Sequence, residues 1–178
     1  MFTAYTNLPN DARLWIYQSN REFTEKEVAY IAIKSEDFIN QWTRHGDDLK
    51  GSFMIKYNHF LVLAVDETFN TVSGCSIDSS VRFIKELEKE LNLDLMDKMN
   101  VTFRDNDRIN SVKLFNFQQF VKENKVKKPH LGHFKKNKSE FNIISGSPNI
   151  SNIILPRTSV CRNTRRTIIC SDPINTKS

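Results

Sequence analysis

The run Phe60-Leu61-Val62-Leu63-Ala64-Val65-Asp66-Glu67 decides the fold. It holds no polar residue before its two closing acids, so a strand built from it has no solvated face. A strand of that kind belongs in the middle of a sheet, covered on both sides. Immediately upstream, Asn58-His59 reads as a tight turn, because Asn tolerates positive φ. Ser52-Phe53-Met54-Ile55-Lys56-Tyr57 then reads as an antiparallel partner that keeps polar Ser52 and Lys56 to one side. Farther back, Arg13-Leu14-Trp15-Ile16-Tyr17-Gln18 is a second nearly continuous apolar run.

Helices fill the spaces between these runs. Thr24-Glu25-Lys26-Glu27 has the capping-box spacing, a hydroxyl followed three residues later by Glu. Behind it Val28, Ile31, Ala32, Ser35, Phe38, Ile39 and Trp42 recur at helical intervals. The spacing predicts a helix that stops at His45-Gly46, where Gly46 suits a left-handed C-cap. After the central run, Gly74-Cys75-Ser76-Ile77-Asp78-Ser79-Ser80 reads as a hydroxyl-rich turn into a second helix carrying Val81, Ile84, Leu87, Glu88 and Leu91. Val101-Thr102-Phe103 is a fourth strand. Residues 104–108 form a turn, 109–115 an extra strand, and 116–124 a short closing helix.

The order is β-α-β-β-α-β with an extra C-terminal strand and helix, which is the α+β, ferredoxin-like sandwich. That arrangement places the first and third strands at the centre of the sheet, in keeping with their apolar runs. Its two helices cover one sheet face only. Something else must cover the other face, and the residue 116–124 helix, the extra strand and a second copy of the chain are the three candidates. Self-association through an apolar sheet face is therefore expected.

The 178 residues carry a net charge of +5, yet the charge is unevenly placed. Residues 1–124 hold 15 Lys and Arg against 19 Asp and Glu, a net of −4, whereas residues 125–178 hold 11 against 2, a net of +9. The tail also contains four of the five prolines, Pro129, Pro148, Pro156 and Pro173. Low hydrophobic patterning with high positive charge favours a flexible extension, so residues 1–124 read as the α+β domain and 125–178 as a basic tail. Lys125, Lys127, Lys128, Lys135, Lys136 and Lys138 have only Phe134 interleaved as a stacking aromatic, which favours a solvated tail over a nucleic-acid grip. No apolar run has the length of a membrane span, and the start has no secretory pattern. A cytoplasmic location is expected, with Cys75, Cys161 and Cys170 as reduced thiols. They show no metal-ligand spacing.

Chemistry concentrates around the central strand's end. Apolar residues followed by Asp66 and Glu67 have the form of a Walker B strand, with Asp for Mg²⁺ and Glu for the attacking water. The decisive companion is the phosphate loop G-x-x-x-x-G-K-[ST]. The nearest stretch, Gly46-Asp47-Asp48-Leu49-Lys50-Gly51-Ser52, puts its Lys before the second Gly, aims two acids at the phosphates and leads into a strand where a helix is required. ATP hydrolysis by this chain is not expected. Gly74, Ser76, Ser79 and Ser80 at a helix start have two readings: hydroxyls and free N–H groups that hold a small anion, or plain capping. Asp78 competes with an anion for the same donors. Cys75 beside a helix start has the setting of an activated thiol. His45 is its nearest inferred base, because the topology brings Arg44 and His45 to the same sheet edge as Asp66, Glu67 and Cys75.

Residues 11 to about 101 resemble a family of short bacterial proteins, found mostly in Bacteroidetes, that often carry the label "ABC transporter ATPase". The matching stretches are Ala12-Arg13-Leu14-Trp15-Ile16-Tyr17-Gln18-Ser19-Asn20-Arg21, Gln41-Trp42-Thr43-Arg44-His45-Gly46 and Leu61-Val62-Leu63-Ala64-Val65-Asp66-Glu67. Phe69-Asn70, the run from Ser73 to Ser80 and Met99-Asn100-Val101 also match. The resemblance implies a small protein of that label but transfers no catalytic residue. The chain departs from the family after about Lys125, where such proteins close on a Trp-containing segment that this chain lacks; the tail reads as a divergent or out-of-frame extension. The sequence expectation is a ligand- or partner-binding regulatory module, with a thiol enzyme using Cys75 and His45 as the alternative. No cofactor or metal is indicated by any motif.

Overall fold

The computed structural model describes residues 1–68, 70–105 and 108–123. The chain runs through a short 3-10 turn at Tyr5–Asn7, then β1 (Arg13–Gln18), α1 (Glu25–Gln41), β2 (Thr43–Arg44), β3 (Asp47–Asp48), β4 (Gly51–Lys56), β5 (Phe60–Val65), α2 (Gly74–Leu91), β6 (Asn100–Asp105), β7 (Arg108–Lys113) and α3 (Leu114–Lys122). It is a mixed α+β protein. The basic tail lies outside the described residues, as do Asn106 and Asp107 of the turn expected between the last two strands.

β5 is the central strand, antiparallel to β1 on one side and β4 on the other. All six of its residues are buried, as the apolar run requires. Alternation sends Leu61, Leu63 and Val65 to one face, where they meet Trp15, Tyr17 and the inner stripes of α1 and α2. Phe38 of α1 and Phe83 of α2 stack at 4.4 Å, and Trp15 meets Trp42 edge-on at 5.7 Å. Both tryptophans thus sit in the core. Burying one such large apolar side chain contributes about 1.5–3 kcal/mol, and this face carries most of them.

Val62 and Ala64 point the other way, where they and Leu14 pack against Leu8, Ala12 and Tyr5. The second sheet face is therefore covered by the segment before β1, which was none of the expected candidates. Phe2 also forms a parallel bridge to Gly51 at the outer edge of β4. A Cβ on Gly51 would lie 3.1 Å from the Ala64 carbonyl oxygen and 3.2 Å from the Ile39 side chain, a tight fit that a larger residue would enter only if these neighbours moved by a few tenths of an ångström. With that face occupied, the reason for expecting self-association through it disappears.

The expected fourth strand does not join this sheet. β6 pairs with β7 in a separate hairpin. The partner is two residues away in sequence, and α3 supplies Phe117 to cover Val101 and Phe103 in a small core of their own. Local closure costs less chain entropy than pairing with distant β1. Three strands of the ferredoxin-like order are present, β1-β5-β4, and the fourth place beside β1 is not taken by β6.

Three local boundaries also differ from expectation. α1 ends at Gln41, and His45-Gly46, with φ of 52° and 96°, instead forms the two-residue turn of the β2–β3 ribbon. Both central residues of such a turn need positive φ. The β4–β5 turn is centred on Tyr57 and Asn58, at φ 53° and 50°, one residue earlier than expected, and closes with the His59 N–H on the Lys56 carbonyl. The second helix opens at Gly74, so the supposed hydroxyl-rich turn is itself helical.

Candidate functional site

The topology does collect most of the expected residues at one sheet edge. β4 begins and β5 ends there, since Gly51 pairs with Val65. α2 starts beside the ribbon formed by β2 and β3, and two hydrogen bonds bolt them together. The buried Trp42 indole N–H donates to the Ser76 carbonyl at 2.9 Å, and the Ser76 hydroxyl donates to the Thr43 carbonyl at 3.0 Å. Arg44 and His45 lie on the ribbon, Asp66 and Glu67 follow β5, and Gly74 and Cys75 open α2.

The Walker-B-like acids are engaged within the fold. Asp66 is buried and accepts from Lys50 Nζ at 3.2 Å, from the Thr68 backbone N–H at 3.0 Å and from the Thr68 hydroxyl. Burial acts to raise its pKa, but the Thr68 donors and Lys50 together outweigh it and hold the carboxyl below its ordinary range. Glu67 accepts from Arg13 at 3.3 Å and from the Val72 backbone N–H at 3.1 Å. These two carboxylates fasten the strand end and the loop into α2. Lys50, which belongs to the failed phosphate-loop match, is spent on Asp66. No cluster of three or more His, Cys, Asp or Glu suited to a metal ion occurs among the described residues.

The hydroxyls have a similar fate. Ser73 is the N-cap of α2, its side chain accepting from the Ser76 N–H. Its Oγ also lies 2.8 Å from Ser76 Oγ. The Ser79 hydroxyl donates to the Cys75 carbonyl at 2.9 Å and that of Ser80 to the Ile77 carbonyl at 2.7 Å. Ser76 and Ser80 are fully buried and open the inner stripe that continues through Phe83, Ile84 and Leu87. Capping and helix packing therefore account for these serines. Gly74 is exposed, and a Cβ added there would meet nothing within 4 Å. Asp78 is exposed as well.

Cys75 is an exposed free thiol and His45 an exposed ring on the ribbon turn. No hydrogen bond joins them among the described residues. Arg44 stands apart from its neighbours. Its Nε is shielded from solvent and has no hydrogen-bond partner among the described residues, while the residue as a whole is half-buried. A shielded donor without an acceptor is costly in a folded protein; at this edge the Ser52 hydroxyl, at the start of β4, is the other buried side-chain group without a partner among the described residues.

At the opposite sheet end, Asn20 and Arg21 are structural. Arg21 forms a two-pronged ion pair with Glu27 at 2.7 and 2.9 Å, and Glu27 also closes the Thr24 capping box. The Arg21 hydrogen bond is the main reason the Glu27 carboxyl is lowered to about 2. Asn20 exchanges two bonds with Asp94. His59 is buried, with Nδ1 at 3.1 Å from the Tyr57 carbonyl.

Sequence reasoning passed over Lys50, Arg13, Thr68 and Ser73, the partners that neutralise the suggestive residues. The observed register, which pairs Lys56 with Phe60 and leaves residues 57–59 between the strands, sets Lys50 opposite Asp66. No family model, curated protein or solved structure matches the chain.

Proposed function

We propose that this protein is a non-catalytic binding module of the ferredoxin-like kind, in which the Arg44 junction receives an anionic group from a ligand or partner. The observation that carries the reading is the shielded, unpartnered Nε of Arg44. It sits on a ribbon fixed to α2 through Trp42 and Ser76, so the donor is held in place before anything binds. A carboxylate or phosphate oxygen would satisfy it, and guanidinium groups match both geometrically. Hydrolysis of ATP is not part of the proposal, because Asp66 and Glu67 are already engaged by Lys50, Thr68, Arg13 and Val72. The thiol-enzyme alternative finds no support in a Cys75–His45 bond.

A ¹H–¹⁵N titration that follows Arg44 Nε tests it, using inorganic phosphate, Mg-ATP and an acidic peptide as probes. At least one probe shifts the Arg44 signal, the Arg44→Gln variant loses the response, and no ATP is turned over. An Arg44 signal indifferent to all three, or ATP turnover that Asp66→Asn abolishes, overturns the reading.

A further inference from the structure

The two outer edges of the sheet are finished differently, and the hydrogen-bond parity shows how. Ser19 N–H donates to the His59 carbonyl at 2.8 Å, in the register that pairs Tyr17 with Leu61 and Trp15 with Leu63. Antiparallel ladders alternate bonded and non-bonded pairs. Arg13, Trp15 and Tyr17 therefore bond to β5, and Leu14, Ile16 and Gln18 turn their backbone groups outward. On β4 the parity runs the other way, since Asp66 N–H donates to the Lys50 carbonyl, and Gly51, Phe53 and Ile55 face out. Gly51 is satisfied there by Met1 and Thr3, at 3.1 and 2.9 Å. For the outward N–H and carbonyl of Leu14 and of Ile16, no partner is present among the described residues.

We propose that β1 pairs with β1 of a second copy of this chain, joining two three-stranded sheets into one across a two-fold axis. Antiparallel pairing that sets Leu14 opposite Ile16 of the second copy forms two mutually bonded pairs. Those pairs use the four open groups of each copy and leave none over. Gln18 is not needed, and Trp15 lies at the axis. A free strand edge is normally guarded by charge, proline or a bulge, and Leu14-Trp15-Ile16-Tyr17 has no charged residue or proline. The adjacent Arg13 is neutralised by Glu67 at 3.3 Å and lies over the Trp15 ring, so two such edges meet without opposing net charge. Pairing also places Ile16, which is half-buried, against Leu14 of the second copy. One strand pair is a small interface, so the association is weak and concentration-dependent.

Sedimentation velocity of the full chain across the micromolar range tests the pairing, alongside Ile16→Pro. That substitution deletes an outward N–H and spares the β5 ladder, so circular dichroism should show an intact fold. By symmetry it removes two interchain bonds, and the dissociation constant should rise roughly tenfold or more. If Ile16→Pro misfolds, Ile16→Lys serves instead, placing like charges at the edge with the same expected loss of dimer. A chain that stays monomeric throughout overturns the proposal and leaves this edge to a strand of another protein. A dimer whose affinity is untouched by the folded variant overturns it as well.

Discussion

The junction of β5, α2 and the β2–β3 ribbon holds the residues that look chemical, whereas the outer edge of β1 holds residues that look inert. Their bonding is the reverse of that impression. Asp66, Glu67, Ser76, Ser79 and Ser80 all have partners inside the fold. Leu14 and Ile16 present backbone groups without one among the described residues. Residue type alone points to the first region; hydrogen-bond satisfaction points to the second, with Arg44 and Ser52 as exceptions within the first. Where these acids and serines are spent on holding the chain together, binding capacity resides in whatever remains unpaired.

The comparison breaks most visibly at Trp42. It is fully buried and its indole fixes α2 to the ribbon. Trp42→Ala should cost about 3–5 kcal/mol of stability by cavity formation, read as a fall in the urea midpoint. Loss of Arg44 function with stability unchanged would mean that the junction is not the structural unit described.

Asp66→Ala probes the claim that the acid is structural. It should destabilise the protein by about 1–3 kcal/mol at neutral pH, the cost of stranding buried donors. The Asp66 pKa is lowered in the fold from its ordinary 3.8, so its contribution is complete above that value and is lost as pH falls through the folded pKa. Urea titrations of the parent and variant should therefore differ at neutral pH and converge in acid. Equal stability at pH 7, with altered ligand binding, would return Asp66 to the functional side of the comparison.

The smallest expected effect concerns Cys75. Its alkylation rate, followed by peptide mass spectrometry, should be the same in the parent and in His45→Ala, because no bond links the two side chains. A slower reaction in the variant would revive the thiol-enzyme alternative.

Much of the fold was readable because it rests on strong patterns. The six apolar residues of β5 and the Thr24–Glu27 capping box each admit few structures, and both appear as expected. The cover of the second sheet face was not readable. Leu8 and Ala12 lie in an irregular segment with Pro9, where no period marks the inward side. The start of α2 was missed for a different reason. Its buried stripe begins with Ser76 and Ser80, which pack inward by returning their hydroxyls to backbone carbonyls, so a hydrophobic periodicity does not register them. Topology brings the start of β4, the end of β5 and the ribbon-bound start of α2 to one edge, but the acids are paired by Lys50, Thr68 and Arg13, to which no motif gives that role.

Amide hydrogen exchange of the full chain at low and high protein concentration reads both regions at once. The account predicts that the Thr68, Val72 and Ser76 amides, which donate to Asp66, Glu67 and Ser73, are protected at both concentrations. The Leu14 and Ile16 amides should exchange freely in dilute protein and slow as concentration rises. Free exchange at Thr68, Val72 and Ser76, or protection of Leu14 and Ile16 in dilute protein, would contradict it.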